Sequence, residues 1–150
     1  MRKSLFFIAS GIYIGIVIWL LFFYPFNPAS RMDTSAQRFI SLTPFGTTSE
    51  YLLNALEHQS YGHIRTLLIN VGGNILLFVP MGVIIFNASP QRIWIPWLLG
   101  FLISLSVETI QITTQVGNFD VDDILFNSLG TLLGYWLCAH VPVLQLHKLS

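Results

Sequence analysis

The stretch Ile93–Ile112 reads IWIPWLLGFLISLSVETIQI, and it decides the fold of this chain. A helix of about 20 residues spans about 30 Å, the thickness of the hydrocarbon core of a bilayer. The stretch carries a single ionisable residue, Glu108. Placing a carboxylate there costs about 2.5–3.5 kcal/mol on insertion scales. Glu108 is therefore a candidate functional residue, and neighbouring helices should supply its polar partners.

The composition of the whole chain indicates a membrane protein. Hydrophobic residues make up 53% of the 150 residues and charged residues only 9%. A soluble domain carries about 25% charged residues. The length predicts one domain, covering residues 1–150. The net charge of zero argues against nucleic-acid binding.

Three further apolar runs have the length of a spanning helix, so we expect an all-α integral membrane bundle of four transmembrane helices. Their expected bounds are residues 5–26, 66–86, 93–112 and 124–143, with an outer loop over residues 27–65. The first run follows Arg2 and Lys3 and also fits a signal peptide. Pro80 should kink the second helix and free the carbonyl of Leu76. Two pairs of small residues permit close helix contact: Gly11 with Gly15, and Gly130 with Gly134.

The outer loop contains a helix signal. Thr47-Thr48-Ser49 offers an N-cap, and Glu50 follows in the first turn. One short amphipathic helix on the outer membrane surface is one interpretation, and a loosely ordered loop is the other.

Basic residues predict the orientation. Arg2, Lys3, Arg92 and Lys148 fall on one side of the four runs, which the positive-inside rule makes cytoplasmic. We therefore expect a multi-pass protein of the inner (cytoplasmic) membrane with both termini in the cytoplasm. Three other basic residues oppose this orientation because they lie in or beside the outer loop: Arg31, Arg38 and Arg65.

Polar residues of the last three runs should lie at one depth, because alternate helices run in opposite directions. The rise per residue brings six of them into one band of the outer leaflet: Asn70, Asn74, Glu108, Gln111, Asp123 and Asn127. On the fourth helix a stripe with steps of three and four is formed by Asp120, Asp123, Asn127, Gly130 and Gly134. We predict a ligand pocket formed by the six residues of the band together with Asp120, in which amides of Asn74 and Asn127 bind Glu108.

Simpler interpretations exist for several of these residues. Asn70, Gln111 and Asn127 could only join helices together, as amides in membrane helices often do. Asp120 fits an N-cap of the fourth helix, and Asp122 a first-turn acid favoured by the helix dipole. The histidines show no metal-ligand spacing, so no metal site and no cofactor are predicted.

Three ordered motifs resemble the VanZ-like family. The first is Asn70-x-x-Gly73-Asn74-x-x-Leu77-Phe78-x-Pro80-x-Gly82, and the second is Glu108-x-x-Gln111. The third is Phe119-Asp120-x-x-Asp123-x-x-x-Asn127-x-x-Gly130-x-x-x-Gly134-Tyr135, and Leu42-x-Pro44-Phe45-x-Thr47 is similar to the family's pre-helix loop.

The resemblance implies an integral membrane protein of the cell envelope, in a family named for resistance to the glycopeptide antibiotic teicoplanin. It supplies no mechanism. The family usually carries an Arg shortly before Phe119-Asp120, whereas this chain has Gln115-Val116-Gly117-Asn118. If that Arg binds an anion in relatives, Arg65 is a candidate substitute here.

Three functions fit the sequence. The first is a non-enzymatic protein whose pocket engages a lipid headgroup, a lipid-linked precursor or an amphiphilic drug. The second is an intramembrane hydrolase or transferase acting on a lipid phosphate, with Glu108 as general base and Asp123 holding a water or a metal. The third is a cation- or proton-coupled carrier. A purely structural partner of other proteins is a further alternative. We favour the first, with a membrane lipid or lipid-linked molecule as partner.

Overall fold

A computed structural model of the chain describes residues 2–22, 40–58, 61–88, 92–141 and 144–145. Within these ranges the protein is mostly helical. Five helices and one small sheet follow in chain order: α1 (Arg2–Phe22), β1 (Ile40–Ser41), α2 (Gly46–His58), α3 (Tyr61–Ala88), α4 (Trp94–Thr113), β2 (Phe119–Asp120) and α5 (Val121–His140). Helix α3 is α-helical over Tyr61–Leu68, π-helical over Ile69–Gly73, and α-helical again over Asn74–Ala88.

Two of these helices, α3 and α4, are long and apolar enough to cross a membrane. Only 11% of the most apolar stretch of α3 and 22% of that of α4 is buried, whereas the core helix of a soluble protein would be mostly buried. Helix α1 contains a shorter apolar segment, Ser4–Leu20. The two long helices therefore support a membrane protein.

Helix α5 lies at the centre of the fold, between the second half of α3 and α4. Glycines allow the backbones of α3 and α5 to touch. A Cβ on Gly82 would overlap the carbonyl oxygen of Thr131, and a Cβ on Gly134 would overlap that of Val79. The predicted close contact at Gly130 and Gly134 is thus confirmed. At Gly11 and Gly15, by contrast, a Cβ would meet nothing within 4 Å in the described part of the chain.

Helix α1 is attached to α3 beside Pro80. The hydroxyl of Tyr13 donates a 2.6 Å hydrogen bond to the carbonyl of Leu77. This carbonyl is one residue later than that of Leu76, which the sequence predicted to be freed by the proline. Pro80 itself lies inside the second α-helical portion of α3.

The described part of the region predicted as an outer loop, residues 40–58 and 61–65, contains regular structure. Of the two interpretations of this region, the structure has the short helix, α2; the first turns of α3 also lie here, because α3 begins at Tyr61 rather than Thr66. Strand β1 pairs in parallel with β2, with Ile40 opposite Phe119 and Ser41 opposite Asp120. This pairing fixes the start of α2 beside the start of α5. Residues 23–39 lie outside the described ranges, so the expected end of the first helix at Phe26, and Arg31 and Arg38, do too.

Candidate functional site

A cavity of about 520 Å³ opens between α1, α3, α4 and α5. Its walls combine apolar and polar side chains. The polar lining consists of Asn70, Asn74, Glu108, Gln111, Asp123 and Asn127. The remaining lining residues are Leu20, Ile69, Gly73, Leu76 and Leu77. The structure thus brings six of the seven predicted pocket residues together around one space.

Two predicted site residues do not line this cavity. Asp120 caps α5, where its carboxylate accepts a 3.0 Å hydrogen bond from the backbone N–H of Asp122. The N-cap interpretation of Asp120 is therefore confirmed. Arg65 is exposed near the end of the first α-helical portion of α3 and is not among the lining residues. Its suggested contact with an anion stays a prediction.

Glu108 is nearly buried, with 3% of its surface exposed. Its Oε2 accepts a 2.9 Å hydrogen bond from the backbone N–H of Asp120. The prediction that amides of Asn74 and Asn127 bind Glu108 is therefore wrong. Asn74 donates to the carboxylate of Asp123 instead, and Asn127 donates to the hydroxyl of Ser104 at 2.8 Å. Each amide is closer to a different acceptor because α3 and α5 contact each other directly, and Ser104 lies one turn below Glu108 on α4.

Asn127 leaves one polar atom without a partner. The residue is 2% exposed, and its Oδ1 is buried with no hydrogen bond among the described residues. Buried polar atoms are nearly always hydrogen-bonded, so this unpaired acceptor, on a residue that lines the cavity, is an exception that calls for an explanation.

The segment of α3 between its two α-helical portions is π-helical, and it borders the cavity. The segment Ile69–Gly73 carries Asn70 on the cavity wall, and Asn74 begins the next α-helical portion. Single π-helical turns inside α-helices occur frequently at functional sites. The sequence feature that could have indicated this irregular segment is the pair Gly72-Gly73, because two adjacent glycines weaken a regular α-helix.

Asp122 contributes outside the cavity. Its carboxylate accepts hydrogen bonds from the backbone N–H of Phe45 and from both the N–H and the hydroxyl of Thr48, the latter two at 3.0 and 2.7 Å. The residue thereby caps the first turn of α2 from another helix. Sequence reasoning saw only a first-turn acid of α5, because no local pattern reveals a partner 74 residues away.

Burial raises the pKa of the Asp120 carboxyl above its ordinary value, and the negative charge of Asp122 adds to this shift. Hydrogen bonds from the Thr47 side chain and the N–H of Asp122 act in the opposite direction. Within the described residues there is no group of three or more His, Cys, Asp or Glu side chains that could hold a metal ion. The polar lining of the cavity offers two carboxylates and four amides.

The fold and site define a helical protein with helices of membrane-spanning length around a partly polar cavity. The model of the VanZ/LLP1 family matches residues 10–144, and the chain belongs to this family. It is 28% identical over 127 residues to Protein VanZ of Enterococcus faecium, an alignment that covers 83% of this chain and 67% of that protein. No solved structure matches. Family membership agrees with the motifs that line the cavity.

Proposed function

We propose that this protein is a non-enzymatic, multi-pass protein of the cytoplasmic membrane whose cavity engages a lipid headgroup, a lipid-linked precursor or an amphiphilic drug. The observation that carries the proposal is the composition of the cavity wall. Six polar side chains share a space of about 520 Å³ with Leu20, Ile69, Leu76 and Leu77. A molecule with one polar end and one apolar chain matches both kinds of surface.

The proposed topology has four spanning helices, α1, α3, α4 and α5, with both termini in the cytoplasm. Helices α1 and α5 have 21 and 20 residues, long enough to cross about 30 Å of hydrocarbon. Helix α5 lies between α3 and α4, and its polar residues are buried against protein rather than lipid, which accounts for its lower apolar content. With Arg92 on the cytoplasmic side, the cavity lies in the outer half of the bundle.

A hydrolase or transferase acting on a lipid phosphate is the second candidate, because Glu108 and Asp123 line the same cavity. Binding is favoured over this chemistry for an electrostatic reason. Among the described residues no Lys or Arg lines the cavity, so a phosphate would meet two carboxylates without a compensating cation. Incubation of purified protein with labelled lipid phosphates tests the alternative. Product formation that Glu108→Gln abolishes would establish turnover.

The binding proposal is tested by filling the cavity without changing its charge. Gly73 lines the cavity, and a Cβ there would meet only Ile69, at 3.9 Å. Gly72 belongs to the same π-helical segment but is not a lining residue, and a Cβ there would meet nothing within 4 Å in the described structure. Gly73→Leu should therefore place a side chain in the ligand's space, and Gly72→Leu is the matched control.

The assay is complementation of a strain that lacks this gene, grown under glycopeptide or other envelope stress, with protein abundance checked by immunoblot. This stress is chosen because the family is associated with glycopeptide susceptibility. We expect Gly72→Leu to restore growth and Gly73→Leu to fail at equal abundance. Full complementation by Gly73→Leu would argue against an occupied cavity.

A further inference from the structure

We propose that the group bound in the cavity is a primary ammonium carried by an amphiphile. This inference rests on the proposed function, because it assumes that the cavity holds the polar end of such a molecule. It goes beyond that function by assigning the charge and the hydrogen-bonding character of the ligand.

The orphaned acceptor of Asn127 is the first argument. The Nδ2 of this residue is committed to Ser104, and its Oδ1 is buried without a partner in the described structure. A ligand that satisfies this oxygen has to donate a hydrogen bond. A phosphate or carboxylate oxygen has no proton to donate in its ionised form and would leave the Asn127 oxygen unsatisfied.

The charge of the wall is the second argument. Glu108 and Asp123 line the same cavity, and each has one oxygen engaged by a donor of the chain, the N–H of Asp120 and the amide of Asn74 respectively. Within the described lining no basic side chain balances them. An ammonium group carries three N–H donors and one positive charge, and Glu108, Asp123 and Asn127 are three acceptor side chains of this wall, two of them acidic.

The lining also favours a primary ammonium over other cations. A quaternary ammonium has no N–H and is usually held by aromatic faces, and no aromatic side chain is among the described lining residues. A multivalent metal ion carries no N–H either, so it would leave the oxygen of Asn127 without a hydrogen-bond donor.

The apolar part of the wall explains why the ligand is an amphiphile. Leu76 and Leu77 line the cavity, and Leu76 is 70% exposed, so this wall continues onto the outer surface of the bundle. An alkyl or acyl chain attached to the ammonium can leave along this surface. Both an amine-headed lipid and a free cationic amphiphile carry this chemistry.

The experiment uses the purified full chain in nanodiscs of phosphatidylcholine. One arm adds equal mole fractions of phosphatidylethanolamine, which has a primary ammonium, or phosphatidylglycerol, which has none, and counts retained lipids by native mass spectrometry. The other arm adds dodecylamine or dodecanol to phosphatidylcholine nanodiscs and measures the shift in thermal unfolding. The variants are Glu108→Gln and Asp123→Asn, which keep an acceptor oxygen, and Glu57→Gln on the exposed surface of α2 is the charge control.

We expect the ammonium ligand to be preferred over its matched partner, and each cavity variant to weaken this preference about tenfold, the usual effect of losing a charged hydrogen-bond partner. Glu57→Gln should keep the wild-type preference. A response in the phosphatidylethanolamine arm identifies a lipid headgroup as the source, and a response to dodecylamine alone identifies a free amphiphile. Equal or stronger retention of phosphatidylglycerol, or a preference for the ammonium that survives both variants, would overturn the inference.

The variant Gly73→Leu distinguishes failure of the ammonium inference from failure of the proposed function. If phosphatidylglycerol or dodecanol binds at least as well as its ammonium partner and Gly73→Leu abolishes that binding, the cavity is a binding site and only the ammonium inference is wrong. If no ligand in either arm binds in a manner sensitive to Gly73→Leu, both proposals are wrong. Thermal unfolding of each variant in the absence of added ligand shows that it is folded before binding is compared.

Discussion

The backbone N–H of Asp120 donates a 2.9 Å hydrogen bond to Oε2 of Glu108, and this bond joins the end of α4 to the start of α5. The carboxylate of Glu108 therefore holds the residue that caps the next helix. Asp120 is itself buried, so this bond lies away from bulk water. The bond gives Glu108 a structural role beside its place on the cavity wall.

Substitutions of Glu108 should separate these two roles. Glu108→Gln keeps an acceptor oxygen and removes the cost of a buried charge, so stability should be unchanged or higher. Glu108→Leu leaves the Asp120 N–H unsatisfied and should lower stability by about 1–3 kcal/mol. Thermal unfolding of the purified variants in detergent measures both. Equal stability of the two variants would show that the bond to Asp120 contributes nothing.

Asp122 should hold α2 against the bundle. Asp122→Ala removes the acceptor for Phe45 and Thr48, and we expect faster hydrogen exchange over Gly46–His58 and a loss of about 1–3 kcal/mol. Asp122→Asn retains one acceptor oxygen and should show a smaller effect. Glu50→Gln, at an exposed position of α2, is the control and should exchange like the wild type. Unchanged exchange in Asp122→Ala would mean that other contacts keep α2 in place.

Glycines of α5 should tolerate no side chain. Gly134→Ala places a methyl group into the backbone of Val79 and should cost at least about 1–3 kcal/mol, the usual effect of overpacking, or prevent folding. Gly15→Ala in α1 has open space around it and should be neutral or slightly stabilising. The amount of monodisperse protein after purification and its unfolding temperature measure the difference. Wild-type behaviour of Gly134→Ala would mean that α3 and α5 are farther apart.

Much of the site could be predicted from sequence because it depends on helical periodicity. The steps of three and four place Asp123, Asn127, Gly130 and Gly134 on one stripe of α5. In the structure Asp123 and Asn127 line the cavity, and Gly130 and Gly134 contact the backbone of α3. That the polar residues of three helices share one level followed from the fixed rise per residue of a helix. Both arguments need only local geometry.

The individual hydrogen bonds could not be predicted in the same way. Asn74 and Asn127 lie at the right depth to reach Glu108, yet they bind Asp123 and Ser104. Which acceptor an amide reaches depends on how closely two helices approach, and the glycines where α3 and α5 touch allow a close approach that periodicity does not specify. The hydrogen bonds that Thr48 donates to Asp122 join α2 to α5 beside the paired strands β1 and β2, and no repeating pattern encodes these contacts.

The proposed topology predicts the location of reporter fusions. Fusions after Arg92 and at Ser150 should report a cytoplasmic location, by fluorescence of a green fluorescent protein, because the basic residues at Arg2, Lys3, Arg92 and Lys148 favour that side. A fusion at Gly117, between α4 and β2, should report the outside through alkaline phosphatase activity. An external location at Ser150 together with a cytoplasmic Arg92 would mean that α5 and the residues after it cross the membrane a different number of times.

The pH dependence of stability should carry a contribution from Asp120. Burial raises the pKa of this carboxyl in the folded protein, so the folded state keeps its proton at pH values where the unfolded chain has lost it. The stabilisation from this proton is fully present below the pKa of an unfolded aspartate and is lost as the pH rises through the folded pKa. As the pH rises from the pKa of an unfolded aspartate through the folded pKa of Asp120, the wild type should therefore lose stability relative to Asp120→Asn.

Asn keeps an oxygen for the N–H of Asp122, so the comparison isolates the proton. Unfolding temperatures in detergent over a pH series measure the difference, with Glu57→Gln as the control for net charge. Parallel curves for the wild type and Asp120→Asn would show that Asp120 titrates alike in the folded and unfolded chain.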